Sequence, residues 1–130
     1  MGYLLDTNIA IEIGNLNERV MAHFVPSAEV SCLSVLNLVE LERGIAMVPA
    51  LAEWRRQRLS VLLNTVTVLP FNEAAASAYG RIIALTGWNR SRDFDRMIAA
   101  HAIATSNVLV TNNAADFGDI PGLTIENWAE

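Results

Sequence analysis

Apolar positions along this chain fall into two kinds of run. Short, nearly continuous ones stand at residues 3–5, 29–33, 65–69, 108–111 and 123–126. Runs of this length, bounded by turn-forming residues and rich in Val and Leu, read as buried strands. Between them lie longer stretches in which apolar and polar residues mix: 8–13, 17–24, 34 to about 46, 50–63, 72–86 and 94–105. These predict helices, and the punctuation agrees. Ser34 and Asn72 suit N-caps, Pro49 suits a first helical turn, and Gly87 suits a stop. Pro70 closes the run at 65–69, and "GWNRSR" reads as a loop. Strands separated by helices predict an α/β fold, with a mainly parallel central sheet joined by right-handed crossovers. No linker, repeat or low-complexity stretch divides the chain, so a single domain over residues 1–130 is expected.

Composition narrows the chemistry more than the fold. Hydrophobic residues make up 52% of 130 residues, enough for one sizeable core. No apolar run approaches a membrane span, and the opening residues read as strand, not leader, so a soluble cytoplasmic protein is expected. Cys32 is the single cysteine, which excludes an internal disulfide. All nine basic residues are arginines. The missing lysine removes Schiff-base chemistry and the phosphate-binding lysine of a P-loop. His23 and His101 have no plausible ligand nearby in sequence, so a zinc site of Cys/His type is not expected. A receiver domain also gathers aspartates at a sheet edge, but it needs a lysine that is absent here. Carboxylates remain, and the aspartates are Asp6, Asp93, Asp95, Asp116 and Asp119. The net charge of −5 argues against strong non-specific nucleic-acid binding. It is compatible with a nuclease whose acidic site is neutralised by metal.

Ligands of parallel α/β sheets bind beyond the carboxyl ends of the strands. Asp6 directly follows the first predicted strand, and Asp116 lies just past the one at 108–111. Asp95 opens a helix that runs back before that strand, which places it at the same edge. Glu40, on the helix after residues 29–33, could lean in from the side. Each aspartate has a plainer reading: an N-cap for Asp6, a helix-dipole charge for Asp95, a loop residue for Asp116. Three independent caps have no reason to converge on one edge, so the joint reading is the stronger. Gathered carboxylates repel and call for a cation, and an oxygen-only set suits Mg2+ or Mn2+. The reaction implied is metal-assisted phosphodiester hydrolysis. Helical periodicity alone does not choose between Glu40 and Glu42.

Four motifs carry a resemblance. "YLLDTNI", "VELERG", "FDRMIAAHA" and "LVTNNAADF", in this order and with the ending "IPGLTIENW", resemble the PIN-domain ribonucleases, and among them the VapC toxins of bacterial toxin–antitoxin pairs. The resemblance covers essentially the whole chain and implies a PIN-like three-layer sandwich. Carried over by motif, it implies a catalytic set of Asp6, Glu40, Asp95 and Asp116, and the Glu-Leu-x-x-Gly pattern selects Glu40 over Glu42. It further implies a Mg2+- or Mn2+-dependent endoribonuclease cutting RNA, tRNA among the candidates, with Asp6 and Asp95 on the metal. A VapB-like antitoxin that inserts a basic residue into the acidic pocket and a homodimer are the implied partners. A catalytically inactive PIN-like binding module is the alternative, and the complete acidic set argues against it.

Around this set, Asn8 is expected to hold Asp6 or a neighbouring carboxylate. Thr111 and Asn112, at the end of a strand, are expected to hold a carboxylate or a water. Asp93 suits the N-cap of the helix that bears Asp95, and Phe94 should face the core. His101 reads as a packed or surface residue. Two basic runs compete for RNA: Arg55, Arg56 and Arg58 in "WRRQR", and Arg90, Arg92 and Arg96 in "NRSRDFDR". Proximity to Asp95 favours the second. Trp54 is expected to be buried, whereas Trp88 could sit at an interface or stack on a base. A dimer face is expected on apolar helix surfaces such as residues 50–63.

Overall fold

The computed structural model describes residues 2–130. Five short strands form one sheet: β1 (Tyr3–Leu5), β2 (Ser31–Ser34), β3 (Thr67–Leu69), β4 (Val108–Val110) and β5 (Ile125–Glu126). Their order is β3-β2-β1-β4-β5 and every pairing is parallel. The helices are α1 (Thr7–Gly14), α2 (Glu18–Ser27), α3 (Val35–Met47), α4 (Ala52–Leu63), α5 (Glu73–Thr86) and α6 (Asp93–Ala104). The expected α/β sandwich is the observed one. None of these helices is long and apolar enough to cross a membrane.

Side-chain alternation along the strands builds two cores from adjacent residues. Leu4, Cys32 and Leu109 face one side, where Ala78 and Ile82 of α5 and Ile98, Ala99, Ala100 and Ala102 of α6 meet them. Leu5, Leu33 and Val110 face the other, against Ile9 and Ile13 of α1, Val20 and Phe24 of α2, and Leu62 of α4. Both faces of the three central strands are therefore covered, which is why these strands read as continuous apolar runs. Alanines 99, 100 and 102, all fully buried, bring α6 close to the sheet.

Local chemistry sets the element ends. Ser34 caps α3 through a capping box: its hydroxyl accepts the Leu36 amide, and its own amide donates to Asn37 Oδ1 at 2.9 Å. Asn72 caps α5, and Gly87, at φ +78°, ends it. Two strands begin later than their apolar runs. Ala28–Val30 form a 3-10 turn, so β2 opens at Ser31. The amides of Thr65 and Val66 bond back to Leu62, so β3 opens at Thr67. Pro49–Leu51 likewise form a 3-10 turn ahead of α4. Asp93 is not the cap of α6. It is the first helical residue, Arg92 stands at the cap position without a side-chain bond, and the Asp93 carboxylate accepts the Tyr79 hydroxyl of α5.

Strand order reverses between β1 and β4. From β1 the chain goes on to β2 on one side, while β4 pairs on the other. At that switch point the Asp6 amide bonds Val110 O at 2.8 Å, so the residues leaving β1 and β4 open side by side at the carboxyl edge.

Candidate active site

Asp6 is the fixed point of this edge. It leaves β1 in extended conformation and caps α1, its Oδ1 accepting the Thr7 amide at 2.9 Å. Its Oδ2 accepts the hydroxyl of fully buried Thr111 at 2.9 Å. The capping reading and the site reading thus describe one residue: the cap holds the carboxylate where β1 and β4 meet. Burial raises the Asp6 carboxyl above its ordinary range, against the bonds from Thr111 and Thr7 and with the added field of Asp116.

Thr7 links Asp6 to Glu40. Its amide serves Asp6, while its hydroxyl donates to Glu40 Oε1. The direction of that bond follows from Asn37, whose Nδ2 donates to the same hydroxyl oxygen at 3.1 Å and leaves the Thr7 proton for Glu40. Asn37 is held in turn by the Ser34 amide, and the Ser34 hydroxyl pairs with His101 Nδ1 at 2.7 Å. Ser34, Asn37 and His101 are all essentially inaccessible. Burial lowers the His101 pKa, opposed by the Pro70 backbone, and the ring packs as the buried partner of Ser34.

Glu42 lies outside the site. It is exposed and makes a bidentate bond to Arg56 at 2.6 and 2.7 Å, tying α3 to α4. Geometry therefore separates the two glutamates that periodicity left equivalent.

Asp95, in the first turn of α6, registers its neighbours electrostatically. Its pKa is raised to about 6, first by burial, then by the negative fields of Asp6, Asp116 and Glu40. Arg96 alone opposes them. Asp116 stands exposed on a 3-10 turn, Ala114–Phe117, that follows β4 and is anchored by buried Phe117. Four carboxylates from four segments thus share one edge. Among the described residues, no three Asp, Glu, His or Cys side chains close into a ready-made metal-ligand group. The set is oxygen-only, over-charged and open. That fits a hard divalent cation which keeps several waters and takes one or two carboxylates, better than a closed protein cage.

Three expected supporting roles change. Asn8 is exposed and makes no side-chain hydrogen bond among the described residues; α1 begins at Thr7, which turns Asn8 outward and leaves the bridging to Thr7. Asn112 is likewise exposed and without such a bond, while Thr111 holds Asp6. Arg96 is not an RNA contact. It is 3% exposed and its guanidinium forks onto Asp119 at 2.7 and 2.8 Å. Trp54, expected inside, is 46% exposed with the Arg58 guanidinium 4.8 Å from its ring centre. Thr7 and Asn37 went unnoticed in the sequence. The signal for Asn37 was present as a Ser-x-x-Asn spacing at a helix start; Asp119 offered none.

Comparison with known proteins agrees with this geometry. The PIN domain family matches residues 3–123. The chain is 34% identical, over 98% of both chains, to the tRNA(fMet)-specific endonuclease VapC of Shigella flexneri. It is 29% identical, again over 98% of both, to ribonuclease VapC2 of Rickettsia felis. Among solved structures, DNA-bound VapBC from Salmonella typhimurium superposes with a TM-score of 0.86 at 31% identity, over 98% of both chains. VapBC2 from Rickettsia felis, bound to a DNA fragment from their promoter, also gives 0.86. With four carboxylates at the switch point of a parallel sheet and these relatives along its whole length, the chain belongs to the PIN-domain family, among the VapC ribonucleases.

Proposed function

We propose that this single-domain chain is the toxin of a type II toxin–antitoxin pair. In this reading it is an endoribonuclease using Mg2+ or Mn2+, held by Asp6 and Asp95 with Glu40 and Asp116 completing the catalytic set. One observation carries the proposal: the edge concentrates four carboxylates that its arginines do not balance, since Arg96 beside Asp95 is committed to Asp119 and Arg43 meets only Glu40, at 3.5 Å. When bound, a divalent ion supplies a water of lowered pKa and offsets charge building on phosphoryl oxygens. The chain's own part is orientation. Thr111 and Thr7 fix both oxygens of Asp6, and the Thr7 hydroxyl, itself held by Asn37, fixes one oxygen of Glu40. Exposed Arg90 and Arg92 beside this edge would meet RNA phosphates. The Shigella relative's specificity supports tRNA as the substrate class.

The VapBC structures among its neighbours support a VapB-like antitoxin as partner. A largely apolar groove of about 260 Å³ between α1, α3 and α4, lined by Ala10, Leu41, Ile45, Leu59 and Leu62, reaches Thr7 and Glu40 at one end. An antitoxin segment lying there could place an arginine on the carboxylates, a bidentate match. Exposed Leu51, Trp54 and Val61 on and beside α4 support a homodimer face.

The test is to incubate the purified protein with total cellular RNA and Mg2+ or Mn2+ and map the new ends. Discrete ends in tRNA, absent with Asp6→Asn, are expected. A folded wild-type protein that creates no ends with either ion would refute the reading.

A further inference from the structure

Arg96 is an uneconomical way to fill a core. It is 3% exposed, its Nε is buried without a hydrogen-bond partner among the described residues, and its bidentate acceptor Asp119 has a half-exposed side chain. A methionine or leucine would occupy the volume without an orphaned N–H. The guanidinium therefore adds something that packing does not.

Its position suggests what. Arg96 directly follows Asp95, and Asp119 lies three residues beyond Asp116. The pair thus bridges the two segments that carry those carboxylates. The Asp116 segment has other anchors, buried Phe117 and Ile120, packed in the core with Ile98 of α6. Apolar contacts are non-directional and allow the turn to rock; a two-pronged fork onto a carboxylate fixes distance and angle together. Rocking is what the site invites, because Asp6, Asp95 and Asp116 repel one another until a cation arrives.

We propose that the Arg96–Asp119 pair is a positioning clamp, holding the Asp116 turn against α6 so that Asp95 and Asp116 keep the spacing a divalent cation requires. The inference rests on the metal reading above. It assigns Arg96 and Asp119 no contact with substrate.

One measurement separates clamp from charge. Removing Arg96 together with Asp119 takes away one charge of each sign, and Arg96→Lys takes away none, so by charge alone divalent binding should stay near wild type in both variants. A clamp predicts a loss. The double variant Arg96→Met/Asp119→Asn removes the pair without leaving a buried charge, and its Tm should stay near wild type. Mn2+ affinity, read from the electron paramagnetic resonance of free Mn2+, should fall about tenfold. Amide hydrogen exchange across residues 113–120 should quicken in the same variant without added metal. Arg96→Lys, which keeps the charge and loses the fork, should show both effects; it carries the test if the double variant does not fold. Mn2+ affinity equal to or tighter than wild type in a folded variant would overturn the clamp. A wild type that binds no Mn2+ would overturn the metal reading itself, and unchanged exchange over 113–120 would then dispose of the clamp as well.

Discussion

The hairpin of α3 and α4 and the carboxyl edge around Asp95 hold similar charges and treat them in opposite ways. On the hairpin, charged groups find partners close by. Arg56 forks onto Glu42, Arg55 donates to Gly44 O at 2.6 Å, and Arg58 lies over Trp54. At the edge, Asp6, Glu40, Asp95 and Asp116 crowd together, Arg43 meets only Glu40, at 3.5 Å, the buried arginine beside Asp95 is turned to Asp119, and Arg90 and Arg92 stand exposed without an ion pair among the described residues. In sequence, "WRRQR" and "NRSRDFDR" are two basic runs of the same kind. Folded, one is structural mortar, and the other is two free cations beside an unbalanced acidic site. A charge left without a partner in a protein that pairs others nearby is the informative one.

The largest test of this contrast lies on the acidic side. Asp6→Asn should lower RNA cleavage by about a hundredfold or more, beyond the loss typical of a residue that only supports a ligand. It should leave the circular dichroism spectrum unchanged, because asparagine can still cap α1. EDTA should abolish wild-type cleavage to the same extent, and added Mg2+ or Mn2+ should restore it. Cleavage that survives in either sample would remove the edge from the chemistry.

A matched pair of glutamates on one helix sharpens the comparison. Glu40→Gln should cost tens-fold in cleavage, on the order expected for a lost positioning or ligand carboxylate. Glu42→Gln, two residues away, should leave the rate within about twofold, because exposed ion pairs contribute little. Equal rates for the two variants would mean that the Thr7 bond to Glu40 has no bearing on turnover.

The arginine pairs come next. Arg90→Ala/Arg92→Ala should weaken RNA binding about tenfold, and Arg55→Ala/Arg56→Ala much less, although both remove two charges. The salt dependence should flatten by about 1.4 in log–log slope for the first pair, from roughly 0.7 per phosphate contact on single-stranded RNA. Filter binding across a salt series reads both. Identical slopes would place the RNA path elsewhere.

Legibility followed physics here. The α/β class was readable because both faces of β1, β2 and β4 are covered, which turns their sequences into unbroken apolar runs. Asp6 and Thr111 were readable because each stands at a strand end, and topology alone sends strand ends to one edge. Strand starts were not, since Thr65 and Val66 look like strand but bond back to the end of α4. Side-chain partners were least visible. Asn8 and Thr7 differ by one helical position, and only the start of α1 decides which faces Glu40. Arg96 looked like its neighbours Arg90 and Arg92 until α6 turned it inward onto a residue 23 positions away.

The smallest expected effect concerns stability, and it opposes acid and metal at the same group. The Asp95 carboxyl titrates near 6 in the fold against 3.8 ordinarily, so the native state binds its proton more tightly than the unfolded chain. Its stabilising contribution is therefore complete below about pH 3.8 and is lost as pH rises through about 6. Asp6, also raised, acts in the same direction. Asp119, lowered to about 2 chiefly by its bond from Arg96, acts oppositely, but only below about pH 4, where its ion pair begins to fail. Metal-free protein should thus be more stable at pH 5 than at pH 7.5, on the order of 1 kcal/mol after allowance for solvent screening at partly exposed Asp95. Asp95→Asn should remove most of that difference. Mg2+ should reverse its sign, because the ion binds the ionised carboxylates that dominate at pH 7.5 and leaves the protonated form at pH 5 little changed. Scanning calorimetry at the two pH values, with EDTA and with Mg2+, gives four melting temperatures. If Mg2+ raised those at pH 5 and 7.5 equally, its binding would not involve the carboxylates that crowd this edge.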